Sequence, residues 1–196
     1  MMSVTDPIAQ TSAPRPQASP TAGNLLAIAV FLLTFHVPGL SRTAELPRQE
    51  VVVESSELPR FDQVHSYFWR GAAPTFAGID ALKKLGVKTI VDLRRTPRRI
   101  EEEGKYCRLV GINYVSLPMG DFIPPPGKQK TFLKIVSDAA QNSQAAPVFL
   151  HCSHGSDRTG YLTALWRVTN DHWSAAEAIT EMLQHGFLVH KIEPNT

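Results

Sequence analysis

The stretch HCSHGSDRTG, His151 to Gly160, places one of the chain's two cysteines at the start of a Gly/Ser-rich turn and an arginine six residues later. An apolar run, Pro147 to Leu150, precedes it, and a segment with helical patterning follows. If residues 153–158 form a tight turn into a helix, their backbone N–H groups converge on one point, where the helix dipole favours an anion. Gly155 permits a turn that a side chain would obstruct. Ser153, Ser156 and Asp157 are residue types that tolerate turns. Arg158 can fold its planar fork over the cradle and hold two oxygens of a tetrahedral oxyanion. Ser153, His154, Gly155, Ser156, Asp157 and Arg158 thus form a phosphate-sized binding loop. Cys152 lies at its floor, where N–H groups and a guanidinium favour thiolate. A thiolate beneath a bound phosphate is poised for in-line attack on phosphorus.

Such a nucleophile needs two more parts. The leaving oxygen needs a proton, and Asp121 is the only carboxylate in the loop MGDFIPPPG (119–127). The same Asp121 would return as general base when the phosphocysteine is hydrolysed. Thr159 can donate its hydroxyl to the departing sulfur. Asp in a Gly/Pro-rich loop is often only a turn former; the company of Cys152 and Arg158 gives it a catalytic reading.

These residues need a scaffold, and the patterning supplies one. Residues 65–75 read as a short strand ending at Pro74. Residues 75–85 read as a helix, with Phe76, Ile79, Leu82 and Leu85 at helical spacing and Gly86 as its stop. Strands are expected over 87–94, 112–118 and 147–152, and helices over 98–111, 128–141, 158–171 and 174–186. Three consecutive prolines exclude regular structure from 119–127. The alternation predicts an α/β fold with a central, mostly parallel sheet flanked by helices. In such sheets ligands bind beyond the carboxyl ends of the strands, the rim where Cys152 and the Asp121 loop both emerge. Cys107, Trp166 and Trp173 read as packing residues, and Glu101, Glu102 and Glu103 as a solvated helix face. Arg94, Arg95, Arg98 and Arg99 follow the 87–94 strand, either as a solvated helix start or as part of the active rim.

A chain of 196 residues with 43% hydrophobic content has room for one domain with a real core. A net charge of +2 does not mark a nucleic-acid partner, and two cysteines exclude a disulfide framework. Residues 1–24 are Pro/Ser/Thr/Ala/Gln-rich and read as disordered. The uncharged apolar run Leu25 to Val37 is short for a membrane span. Residues 25–41 read as a signal peptide, with a membrane anchor and a buried helix as alternatives. The first two place the protein in the periplasm or otherwise exported. Residues 42–60 read as a linker and 61–196 as the catalytic domain.

His151-Cys152, five residues, then Arg158-Thr159-Gly160 resembles the signature of cysteine-dependent protein tyrosine and dual-specificity phosphatases. RGAAPTFAGIDALKKLGVKTIVDLR is similar to the opening segment of bacterial and fungal atypical dual-specificity phosphatases. HCSHGSDRTGYLTALWRV, with WSAAEAITEM and HGF after it, is similar to bacterial periplasmic tyrosine phosphatases; together the likeness spans residues 64–190. The resemblance implies a Cys-phosphatase fold, a phosphocysteine intermediate, and no metal or other cofactor. It implies a phosphotyrosine-containing protein as substrate, with phosphoserine and phosphothreonine as lesser ones.

Other readings stay open. Phosphoinositide and inositol-phosphate phosphatases resemble this chain but commonly carry lysines in the loop, where this one has none and one acid. A non-catalytic phosphate reader would need only the cradle. A metal site at His151, Cys152 and His154 fits poorly, since adjacent side chains diverge. In an oxidising compartment Cys107 could cap an oxidised Cys152.

Overall fold

The structure is a computed structural model and describes residues 54–120 and 123–187. Its centre is a five-stranded sheet in the order β1-β2-β5-β3-β4, where β1 is Asp62–His65, β2 Phe68–Gly71, β3 Thr89–Asp92, β4 Asn113–Ser116 and β5 Val148–His151. Strands β2, β5, β3 and β4 run parallel, and β1 joins antiparallel at the β2 edge. The predicted α/β layer is present with one strand more than expected. The stretch read as one strand over 65–75 is the turn and second half of a hairpin, and Asp62–His65 supplies the first half. A four-residue edge strand with half-exposed side chains carries too little hydrophobic alternation to be seen in sequence. By contrast β3 and β5 are buried along their whole length, as interior parallel strands must be.

Helices cover both faces. α1 (Phe76–Lys84) and α2 (Pro97–Leu109) lie on one, over a core built from Trp69, Ile79, Leu82, Ile90, Cys107 and Phe149. α3 (Pro126–Gln141) and α4 (Asp157–Thr169) lie on the other, where Phe68, Val91, Phe132, Leu150, Leu162 and Trp166 pack. α5 (Ala175–Gln184) rests on α4 through Ala178 and Met182 against Ala164. Local chemistry sets the helix ends. Thr75 caps α1 by accepting from Gly78 N–H at 3.1 Å, and Gly86 takes a left-handed φ of 96° after it. Ser174 and Glu177 form a reciprocal capping box on α5. α3 starts at Pro126, two residues earlier than read from the sequence, because proline fits the first helical turn where its missing N–H costs nothing.

Residues 54–60, within the stretch read as linker, lie against the domain. Leu58 is buried in the α1 side of the core, and Pro59 O accepts from Ala72 N–H at 2.8 Å. The readings made for residues 1–53, the disordered start and the signal or anchor at 25–41, fall outside the described residues. Among the described residues no helix is long and apolar enough to cross a membrane.

All four parallel strands end on one rim. The segments leaving it are Ala72–Thr75 after β2, Leu93–Thr96 after β3, Leu117–Gly120 after β4, and Cys152–Ser156 after β5. Backbone hydrogen bonds lace them together: Leu93 N–H to His151 O at 3.0 Å, Leu117 N–H to Asp92 O at 2.8 Å, and Met119 N–H to Leu93 O at 3.1 Å. Two loops far apart in sequence are thereby fixed against each other.

Candidate active site

Residues 152–156 form the predicted turn, and α4 begins at Asp157. Cys152 is buried at its base, and Gly155 N–H donates to Cys152 Sγ at 3.2 Å. Gly155 has φ 73°, and a Cβ added there would meet Ala72 N and Gly71 C at 2.6 Å. A glycine is therefore required twice, for the left-handed backbone and for the close approach of the loop to the end of β2. Ser156 occupies the N-cap of α4 and makes no side-chain cap hydrogen bond, so its hydroxyl does not compete with an anion at the helix start. Arg158 folds back over the rim, and its Nη1 donates to Leu93 O at 3.3 Å. Ser153 is half-buried, Ser156 buried, and His154 exposed on the loop surface.

Burial pushes the Cys152 thiol up. The Thr159 hydroxyl and backbone N–H, the Arg158 charge and the Gly155 N–H outweigh it and leave the pKa below the ordinary value. The Thr159 hydroxyl is buried with no other partner among the described residues, close enough to the thiol to lower its pKa although no well-formed hydrogen bond joins them. Cys107 shows the reverse case. It is wholly buried beside Glu103, without such donors, and is pushed up to about 12. It belongs to the core on the other face of the sheet from Cys152, and both thiols are free. The placement gives no support to Cys107 as a partner for an oxidised Cys152.

Beneath the loop lies a buried ionic network that sequence reasoning missed. His151 Nε2 pairs with Glu103 Oε1 at 2.8 Å, and His151 Nδ1 lies 3.2 Å from Cys152 O. Arg94 bonds both Asp92 oxygens and also Glu103 Oε2, at 2.5 Å, while the Tyr114 hydroxyl donates to Asp92 at 2.6 Å. Glu103 and Asp92 raise the His151 pKa against its complete burial. Asp92, Glu103 and His151 converge closely enough to suggest a metal site. Arg94 already bridges both carboxylates, and with His151 protonated the four charges cancel, so the cluster reads as an ion network. Arg94 is thus committed below the rim and does not face the phosphate cradle. Glu103 is not part of a solvated face either. Glu101 and Glu102 are exposed and pair with Lys105 and Arg98, whereas Glu103 points inward. The signal was available: Glu103 stands four residues before Cys107, so a buried cysteine places Glu103 on the same helix face.

The remaining sequence-predicted residues divide simply. The structure brings together Cys152, Ser153, His154, Gly155, Ser156, Asp157, Arg158 and Thr159 on one loop and helix start. Asp121 and its neighbour Phe122 lie outside the described residues. The residue before them, Gly120, is on the shared rim, about one contact distance (4.0 Å to a built Cβ) from Arg95 Nη1. Arg95 is exposed there, and Arg98 is taken by Glu102.

A cysteine on a phosphate-sized loop, between a parallel strand and a helix N-terminus, defines the cysteine-phosphatase class. Comparison with known proteins agrees. The chain belongs to the family described as DSP-PTPase phosphatase fused to NAD+ kinase, which matches residues 41–192, and it is accordingly a hydrolase of phosphate esters. It is 27% identical over 176 residues to the dual specificity protein phosphatase TpbA of Pseudomonas aeruginosa, covering 86% of this chain and 75% of that protein. A solved TpbA cysteine-to-serine variant in complex with phosphotyrosine superposes with a TM-score of 0.57 at 23% identity, over 70% of this chain and 80% of that one. The catalytic core of the yeast (Saccharomyces cerevisiae) PP-IP phosphatase SIW14 in complex with citrate gives 0.56 at 24%, over 66% and 77%.

Proposed function

We propose that the protein hydrolyses phosphotyrosine in protein substrates through a phosphocysteine intermediate, with phosphoserine and phosphothreonine as lesser substrates. The observation that carries the reading is the buried Cys152 thiol, held below its ordinary pKa under the Gly155 N–H on an anion-binding loop. Its thiolate attacks phosphorus. The S–P bond forms as the P–O ester bond breaks, and the leaving oxygen takes a proton from Asp121. Water, deprotonated by Asp121, then attacks phosphorus and releases inorganic phosphate. The Thr159 hydroxyl stabilises the returning thiolate, and Arg158 with the loop N–H groups holds the phosphoryl oxygens throughout. Residues 61–196 form the catalytic domain, and export through residues 25–41 completes the reading.

Substrate choice is supported by the loop itself and by the phosphotyrosine complex of TpbA. The loop between Cys152 and Arg158 carries no lysine and one acid, Asp157, which disfavours highly anionic substrates. A second reading, an inositol-phosphate phosphatase, draws on the exposed Arg95 at the rim and on the likeness to SIW14. The test is phosphate release from a phosphotyrosine peptide, a phosphoserine peptide and an inositol polyphosphate, with Cys152→Ser alongside. Turnover fastest on phosphotyrosine and abolished in the variant supports the first reading; preference for the inositol polyphosphate replaces it with the second. Binding of phosphopeptide without turnover would leave a phosphate reader. Asp121→Asn should remove the fall in rate at high pH that an essential acid imposes; an unchanged profile takes Asp121 out of the mechanism.

A further inference from the structure

Among the wholly buried side chains of the described residues only Trp166 is larger than Arg70, which sits on β2 where an apolar residue would be expected. Its Nη2 donates to Gly155 O at 3.2 Å. Its Nε and Nη1 are buried without a hydrogen-bond partner among the described residues. The guanidinium passes under the first turn of α4, with Nη2 lying 3.7 Å from a Cβ built on Gly160. A buried guanidinium normally demands a carboxylate. Two carboxylates face it, and both are engaged elsewhere. Glu181 on α5 is held by Arg167 at 2.8 Å, and Asp62 on β1 lies 3.4 Å from His185. The other charged groups around it are Cys152, which favours its charge, Arg167, which opposes it, and His185, whose own charge it opposes. Burial lowers the Arg70 pKa from a high starting value, and the guanidinium stays charged.

This cation is spent on the loop. Three contacts from β2 and its continuation meet residues 153–155: the Arg70 bond to Gly155 O, the packing of Gly71 and Ala72 against Gly155, and Ala73 N–H to Ser153 O at 3.4 Å. Fixing the Gly155 carbonyl from below holds the Gly155–Ser156 peptide, whose N–H points opposite to its carbonyl, away from β2.

We propose that Arg70 is a positioning residue of the phosphate loop: it clamps the Gly155 carbonyl and sets a positive charge, hydrogen-bonded to no carboxylate, behind the Cys152 thiolate and the phosphoryl group above it. The inference rests on the phosphatase reading of the loop. The alternative is an arginine that merely fills space beneath α4.

The experiment measures alkylation of Cys152 by iodoacetamide in the full chain, read by peptide mass, as a function of pH and of inorganic phosphate. Wild type, Arg70→Met and Arg70→Lys are compared, with thermal unfolding alongside. Wild type should be alkylated below the ordinary thiol range and protected by phosphate. Arg70→Met should react about tenfold more slowly near pH ~6, because the inflection moves up when the charge is lost. It should also need about tenfold more phosphate for half-protection. Arg70→Lys should restore the inflection and leave protection weakened about fivefold, since an ammonium cannot reproduce the fork. A folded Arg70→Met with a lowered melting temperature but wild-type inflection and protection overturns the proposal in favour of packing. Should Arg70→Met not fold, the lysine variant decides, and wild-type protection in it overturns the clamp. If wild type itself shows an ordinary thiol profile and no protection, the phosphatase reading of the loop fails first, and the role of Arg70 with it.

Discussion

Replacing Gly155 with alanine is the smallest change that tests how the loop is held. Gly155 has φ 73°, where an L-residue costs about 1–2 kcal/mol. The added methyl carbon would lie 2.6 Å from Ala72 N and Gly71 C and 2.7 Å from Gly71 O. All three are backbone atoms of the strand end, so no rotamer change relieves the contact. Ordinary van der Waals contact begins near 3.4 Å, so the loop must lift by several tenths of an ångström. That lift stretches the 3.2 Å bond from Gly155 N–H to Sγ and the 3.2 Å bond from Arg70 to Gly155 O together. A misplacement of about 1 Å at a reacting centre costs roughly a hundredfold in rate. We expect Gly155→Ala to lower kcat/KM on an aryl phosphate by about thirty- to a hundredfold, and to cost about 2 kcal/mol of stability in urea unfolding. A kcat/KM within threefold of wild type, in a folded variant, would refute the claim that the β2 end sets the loop geometry.

Native alkylation should mark Cys152 alone. Cys152 is held below the usual thiol pKa, whereas Cys107 is buried and pushed up to about 12, so peptide mapping near neutral pH that finds Cys107 equally modified contradicts the placement. Glu103→Gln should cost about 3 kcal/mol, since it removes one partner from a buried ion network. The cost should vary with pH in a fixed direction. The raised folded pKa of His151 contributes stability fully present below the unfolded value of about 6.5 and lost as pH rises through the folded value. The gap between wild type and Glu103→Gln in urea midpoint should therefore be widest near pH ~6 and narrow on the alkaline side; a gap that widens with pH contradicts the His151–Glu103 pairing.

The sequence by itself made the anion-binding loop legible. Cys152, the turn residues 153–157 and Arg158-Thr159 are consecutive, so their arrangement follows from local backbone behaviour: a glycine turn and a helix start are fixed within ten residues. The α/β class was legible for a similar reason, because β3 and β5 are continuous apolar runs and α1 and α5 carry their own caps. Hydrophobic periodicity speaks clearly where an element is buried on both faces or capped by its neighbours. It said little about β1, whose half-exposed residues belong to the sheet only through pairing with β2.

Only the tertiary structure decided what supports the loop. Arg70 looks like a surface arginine until the parallel pairing of β2 with β5 brings it under Gly155. Glu103 is one of three identical neighbours; its spacing from Cys107 puts it on the inward face of α2, but only the packing of that face on β5 supplies His151 as its partner. Arg94 is one of four arginines within six residues, at 94, 95, 98 and 99, and the convergence of β3, β4 and α2 makes it the buried counter-ion of Asp92 and Glu103. Arg70 and Glu103 are charged residues whose burial is tolerable only because a group from a distant segment lies within hydrogen-bond reach, Gly155 O for the one and His151 for the other. Composition and spacing cannot report that distance, because it is set by how strands order in the sheet and not by separation along the chain.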